Sequence, residues 1–123
     1  MKQYNLLIVD DEQRFANMLA KRLSLRGCYC EVCYNGRQAL DLVKRKNFCL
    51  ILLDLHLPDI YGSEVLAQIK VISPQTPVII LTGHGTEKDR QTCLQKGAYA
   101  FWHKPLAIDK LMAILARIRG EFA

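Results

Sequence analysis

Apolar and polar positions along this chain follow two rhythms. Short unbroken apolar runs occur at Leu6-Leu7-Ile8-Val9, Cys49 to Leu53, Val78 to Leu81 and Ala98 to Trp102. Between them, apolar residues recur every three or four positions. Unbroken runs bounded by polar residues read as strands buried on both faces, and the longer period reads as amphipathic helix. The pattern predicts a first strand over Asn5 to Val9 and a first helix over Glu12 to Arg26. Phe15, Leu19 and Leu23 share one face of that helix, and Gly27 stops it. A second strand spans Cys28 to Cys33, and Asn35-Gly36 opens a helix with the stripe Ala39, Leu40 and Val43. The third strand, Phe48 to Leu53, is the most apolar and belongs at the centre of the sheet. A third helix over Ser63 to Ile72 follows, then a turn bracketed by Pro74 and Pro77, then the strand at Val78. The fourth helix, Glu87 to Lys96, is mostly polar, with Cys93 and Leu94 as its chief anchors, and Gly97 ends it. The last strand is Ala98 to His103. The last helix is Ile108 to Arg119, with Leu111, Ile114, Leu115 and Ile118 inward. Strict alternation of strand and helix implies right-handed crossovers and a parallel sheet covered on both faces.

The apolar runs stop at residues that carry chemistry. The first ends at Asp10-Asp11, the second at Asp54, the third at Thr82, and the fourth just short of Lys104-Pro105. The carboxyl ends of neighbouring strands in an open parallel sheet line one edge, where ligands bind. Three carboxylates, a hydroxyl and an ammonium converging there suit a divalent cation and a phosphoryl group.

Composition narrows the class. At 123 residues, 50% hydrophobic and 24% charged, the chain has the make-up of one ordinary globular domain, expected to span 1–123. No apolar run approaches the roughly 20 residues that cross a bilayer, and the N-terminus lacks the features of a signal peptide, so a cytoplasmic protein is expected. The five cysteines (Cys28, Cys30, Cys33, Cys49, Cys93) are odd in number. Cys30-Glu31-Val32-Cys33 matches C-x-x-C, yet it lies within a strand, where its two thiols face opposite ways, and no second ligand pair has metal-finger spacing. Buried structural thiols are expected. The net charge is +5, and setting aside the three aspartates and Lys104 leaves 16 bases against 9 acids. Those bases are spread over several helices, with only Lys44-Arg45-Lys46 as a run, which favours a solvated surface, or one that meets an acidic partner protein, over direct nucleic-acid binding.

The segments Ile8-Val9-Asp10-Asp11-Glu12, Leu53-Asp54-Leu55-His56-Leu57-Pro58, Leu81-Thr82-Gly83-His84-Gly85 and His103-Lys104-Pro105 occur in this order at the predicted strand ends. In them the chain resembles the receiver domain of two-component response regulators, from Leu6 to about Ile118. The resemblance implies a doubly wound five-stranded parallel sheet of order 2-1-3-4-5 flanked by five helices, the flavodoxin-like α/β arrangement. It implies that Asp54 accepts a phosphoryl group from a phosphohistidine. It further implies Mg²⁺ bound by Asp11 and Asp54, by Asp10 partly through a water, and by the backbone carbonyl of His56. Lys104 and Thr82 would each contact a phosphoryl oxygen. Thr82 would move toward the new phosphate while Phe101, three residues before the lysine, swings inward; a phenylalanine has no hydroxyl to fix either state. Trp102 would point the other way, into the core. His56 and His84, two residues after Asp54 and Thr82, flank the phosphoryl position and would guide or exclude the hydrolytic water. Gly83-His84-Gly85 is similar to receivers attached to enhancer-dependent transcription activators. The implied partners are a sensor histidine kinase or phosphotransfer protein, a second receiver, or an output domain. No other catalysis is expected than the domain's own phosphorylation and dephosphorylation.

Each residue also has a plainer reading. Asp11 is placed to cap the first helix, Thr82 fits a turn, Lys104 a solvated charge, and the two histidines exposed loops. An aspartate-nucleophile phosphatase would carry D-x-D at its nucleophile, whereas Leu55-His56 follows Asp54. A flavodoxin-like cofactor binder needs a phosphate-cradling loop where Asp10-Asp11 would repel the phosphate. The receiver reading leaves open whether the 123 residues are a single-domain regulator or a fragment of a larger transcription regulator or hybrid kinase, and whether Gly120-Glu121-Phe122-Ala123 is native or an appended remnant.

Overall fold

The computed structural model describes residues 3–120; of the C-terminal tetrapeptide, residues 121–123 lie outside them. Five strands and five helices alternate: β1 (Tyr4–Val9), α1 (Gln13–Ser24), β2 (Cys28–Cys33), α2 (Gly36–Arg45), β3 (Leu50–Leu53), α3 (Gly62–Ile72), β4 (Val78–Thr82), α4 (Glu87–Gln95), β5 (Ala100–His103) and α5 (Ile108–Ile118). All strand pairs are parallel and the order is β2-β1-β3-β4-β5. The expected topology, the number of elements and the central place of β3 all hold. Helix ends coincide with expectation or fall one or two residues from it, and β3 and β5 are shorter at their starts. Phe48 and Cys49 precede β3, and Ala98 and Tyr99 precede β5.

The apolar runs are continuous because the sheet has a core on each side. Leu7, Val9, Ile51, Leu53 and Ile80 face α2, α3 and α4, while Leu6, Ile8, Leu50, Leu52, Ile79 and Leu81 face α1 and α5. Every residue of β3 is buried. Side-chain alternation along β2 sends Cys33 into the first core and Cys30 toward the second, so this C-x-x-C cannot close on one ligand. Among the described residues all five cysteines are free.

Helix caps set the loops. Asn35 accepts the Gln38 N–H at 2.9 Å and starts α2. The carboxylate of Asp59, 23 residues away, accepts the N–H groups of Gly36 and Arg37 at 2.8 and 3.0 Å, tying the β3–α3 loop to the same helix end. Thr86 and Asp89 form a reciprocal capping box at the start of α4. Cys93 is the single buried residue of that helix among those described; Leu94, expected to anchor it, is 37% exposed. Ile118 also departs from expectation at 38% exposed, because the stripe of α5 outlasts the sheet beneath it, which Leu111 and Leu115 cover. Trp102 is half-buried against the second core, under the ammonium of Lys110.

Candidate functional site

The strand ladder runs one residue past the strand ends and thereby aligns the site. The Asp10 N–H bonds to the Cys33 carbonyl (3.1 Å), the Asp54 N–H to the Val9 carbonyl (3.0 Å), and the Lys104 N–H to the Thr82 carbonyl (2.9 Å). Residues 22 to 45 positions apart are thus fixed side by side by backbone bonds alone. Asp10, Asp54 and Thr82 are buried at the carboxyl ends of β1, β3 and β4. A cleft of about 260 Å³ opens above them, lined by Asp11, Glu12, Asp54, His56, Gly83, His84 and Lys104.

Lys104 holds the carboxylates together. Its Nζ lies 2.8 Å from Asp10 Oδ2, 2.5 Å from Glu12 Oε1 and 3.5 Å from Asp54 Oδ2, with the Phe15 ring centroid 4.4 Å away. Burial disfavours the ammonium, but hydrogen bonds to Asp10 and Glu12 and the charges of Asp10 and Asp54 outweigh it and hold Lys104 protonated, above the ordinary lysine range. Burial acts on Asp10 in the opposite sense and raises it above the usual carboxylate value, with the Asp54 charge adding to the rise. The bonds from Lys104 and from the Glu12 N–H offset only part of this.

Carboxylate oxygens of Asp10, Glu12 and Asp54 lie within 4.8 Å of one another. An all-oxygen set of that density fits a hard divalent cation. Asp11, expected as a direct ligand, is exposed and lines the cleft without joining that cluster. Nor does it cap α1: Glu12 is the N-cap residue, and the Glu12 N–H is bonded instead to Asp10 Oδ1 at 3.0 Å. The sequence reading did not single out Glu12. The third acid of the Asp10-Asp11-Glu12 run was visible, but its pairing with a lysine 92 residues away was not.

The remaining candidates surround the β4–α4 loop. The Thr82 hydroxyl donates to the His84 carbonyl at 3.2 Å. Phe101 packs against the α2–α4 core, and a Cβ on Gly85 would meet its Cζ at 2.6 Å. The ring therefore occupies the space under the loop that glycine leaves. His56 and His84 are both exposed, with ring centroids 6.5 Å apart. Among the described residues, no helix is long and apolar enough to cross a membrane.

Comparison with known proteins gives the same reading at family level. The family model described as the response regulator receiver domain matches residues 6–116. The transcriptional regulatory protein YkoG of Bacillus subtilis is 38% identical over 98% of this chain and 51% of its own length. An NtrX-like response regulator of Rickettsia conorii is 38% identical over 95% of this chain and 25% of its own. The chain thus spans about half the length of the first relative and a quarter of the second. Among solved structures, a CheY-like receiver domain protein from Methanospirillum hungatei superposes with a TM-score of 0.91 at 26% identity, covering 98% of this chain and 99% of that one. A response regulator from Burkholderia pseudomallei, solved with a phosphorylated aspartic acid, a calcium ion and citrate, gives 0.85 at 27% identity over 98% and 74%.

Proposed function

The chain belongs to the response regulator receiver family, and on that premise we propose that it accepts a phosphoryl group on Asp54 and alters a partner-binding face in response. The observation that carries the assignment is the placement of Asp54. It is a buried carboxylate at the end of the central strand, opening on an acidic cleft and 3.5 Å from the ammonium of Lys104. One Asp54 oxygen forms a bond to phosphorus as the P–N bond of a phosphohistidine breaks, and the electron pair returns to the departing imidazole nitrogen. Hydrolysis reverses the modification when water attacks the same phosphorus and Asp54 leaves as the carboxylate. Lys104 and the Thr82 hydroxyl each bind a phosphoryl oxygen, so the domain positions charge around a loose transition state. His56 and His84 flank that position and control the approach of water.

A divalent cation, Mg²⁺ in this reading, would be held by Asp11 and Asp54 directly, by Asp10 partly through a water, and by the backbone carbonyl of His56. When bound it supplies the positive charge that offsets repulsion between a carboxylate and a phosphoryl group. The chain's own contribution is to hold the carboxylates of Asp10 and Asp54 beside the Lys104 ammonium until the donor arrives.

In this reading the domain, residues 1–123, is cytoplasmic, and the donor is a sensor histidine kinase or phosphotransfer protein. Its catalysis is confined to its own phosphorylation and dephosphorylation. The greater length of the relatives supports a second reading that concerns output: the receiver serves a larger transcription regulator or hybrid kinase, through an output domain or a second receiver. Intact mass after incubation with acetyl phosphate and Mg²⁺ tests the acceptor. One phosphoryl adduct is expected on the wild type and none on Asp54→Asn; equal labelling of both overturns the assignment.

A further inference from the structure

Thr82 and His56 are bonded to the same atom. The Thr82 hydroxyl donates to the carbonyl oxygen of His84 at 3.2 Å, and Nε2 of His56 lies 2.7 Å from that oxygen. A carbonyl oxygen only accepts, so the His56 ring carries a proton on Nε2. The ring is held edge-on between Tyr61 and His84, at centroid distances of 5.7 and 6.5 Å. Across the loop, Nε2 of His103 lies 3.2 Å from the next carbonyl, that of Gly85. The His84 N–H points back at Thr82 Oγ1 from 3.4 Å, so the hydroxyl is engaged with its own loop on both sides.

A hydroxyl committed in this way must leave the His84 carbonyl before it can donate to a phosphoryl oxygen. We propose that His56 is the positioning residue that frees Thr82, by keeping the His84 carbonyl bonded when the hydroxyl turns away. The inference rests on the reading of Asp54 as acceptor and Thr82 as a phosphoryl contact. A carbonyl oxygen has two lone pairs and here uses both; loss of one donor leaves it satisfied by the other, whereas loss of its sole donor strands it. His103 is bonded to the next carbonyl of the loop, a contact that does not involve the Thr82 hydroxyl. Thr82 and His56 approach the carbonyl from different strand ends, β4 and the β3–α3 loop. The arrangement therefore links the phospho-acceptor's own loop to the hydroxyl that reads it.

The test is titration of the full chain with beryllofluoride in the presence of Mg²⁺, followed by calorimetry. His56→Phe fills the imidazole's space, keeps water from replacing it and removes the donor. Binding is expected to weaken about three- to tenfold, the worth of one hydrogen bond. His56→Gln places an amide N–H near the Nε2 position and is expected to restore affinity to within about twofold. In a Thr82→Val background no hydroxyl has to be released, so His56→Phe is expected to have no further effect. Wild-type affinity in His56→Phe, or an equal loss in the Thr82→Val background, overturns the role of His56 while leaving the acceptor assignment intact. Wild-type protein that does not bind beryllofluoride at all overturns the acceptor assignment, and this inference with it.

Discussion

The backbone of Gly62 passes so close to Asp54 that a Cβ at position 62 would lie 2.4 Å from the Asp54 carbonyl oxygen and 2.5 Å from Leu55 Cα. The Gly62 N–H seals the approach with a 2.7 Å bond to the Leu55 carbonyl. The first turn of α3 therefore rests directly on the peptide that follows Asp54, and neither backbone has a flexible side chain to yield. Gly62→Ala is expected to destabilise the fold by about 1–3 kcal/mol, as overpacking does. Displacement of Asp54 should also slow labelling by acetyl phosphate on the order of tenfold. Urea unfolding and a labelling time course check the two effects; unchanged labelling in a destabilised variant would show that the contact supports the fold alone.

Asp11 and Glu12 divide the cleft's exposed acidity, and only Glu12 is paired with Lys104. If Asp11 is a direct cation ligand, Asp11→Asn lowers Mg²⁺ affinity more than tenfold, about 1.4 kcal/mol. Glu12→Gln removes a Lys104 partner and is expected to have the smaller effect. Isothermal titration of the three proteins decides, and a larger loss in Glu12→Gln would move the ligand role from Asp11 to Glu12.

Gly85 governs the position of Phe101. A methyl group there meets the ring at Cζ (2.6 Å) and Cε1 (3.0 Å) and the Thr82 methyl at 3.0 Å. Gly85→Ala should expel the ring from under the loop, opposite to the inward swing expected on phosphorylation. Hydrogen exchange with and without beryllofluoride is expected to change over residues 83–103 in the wild type, since α4 is held by one buried residue and a capping box. The variant, whose ring is shut out of that space, is expected to show less of that change. Differences confined to the loops at Asp11 and Asp54 would mean that the signal leaves by another route.

Alkaline pH should weaken the fold through β2. Burial raises the thiols of Cys30 and Cys33 from 9.0 to about 12. In the unfolded chain they ionise from about pH 9, so above that pH the unfolded state gives up protons that the folded state retains. Their contribution to stability is complete below about pH 9 and declines as pH rises toward about 12. Urea midpoints measured between pH 8 and 11 should fall less steeply for Cys33→Ala than for the wild type. Parallel slopes would assign the decline to other groups.

The sheet was readable because its burial is two-sided: Leu6 to Val9, Leu50 to Leu53 and Val78 to Leu81 are apolar at every position, and each run stops where the chemistry begins. Helices with a full stripe, such as Ala39, Leu40 and Val43, were equally plain. Periodicity failed where a helix passes beyond the sheet or barely touches it, as at Ile118 and Leu94. The Thr86-x-x-Asp89 cap was local and legible but passed over. Other features have no local signature. The Gly62 contact, the reach of Asp59 to α2 and the bond of Glu12 to Lys104 are set by how loops from distant segments cross.

Strand β3 is hydrogen-bonded on both sides and covered on both faces, and Asp54 extends its ladder by one more bond to Val9. Asp54, the proposed acceptor, is thus mounted on a strand held on every side, as the fixed jaw of a vice is bolted to the bench. The moving jaw, in the proposed response, is the β4–α4 segment, gripped by a few hydrogen bonds and one buried thiol. Force generated by the new phosphoryl charge has little to deform on the side of Asp54. On the proposed reading it is delivered to the other side, so that the surface changes shape with the core undisturbed.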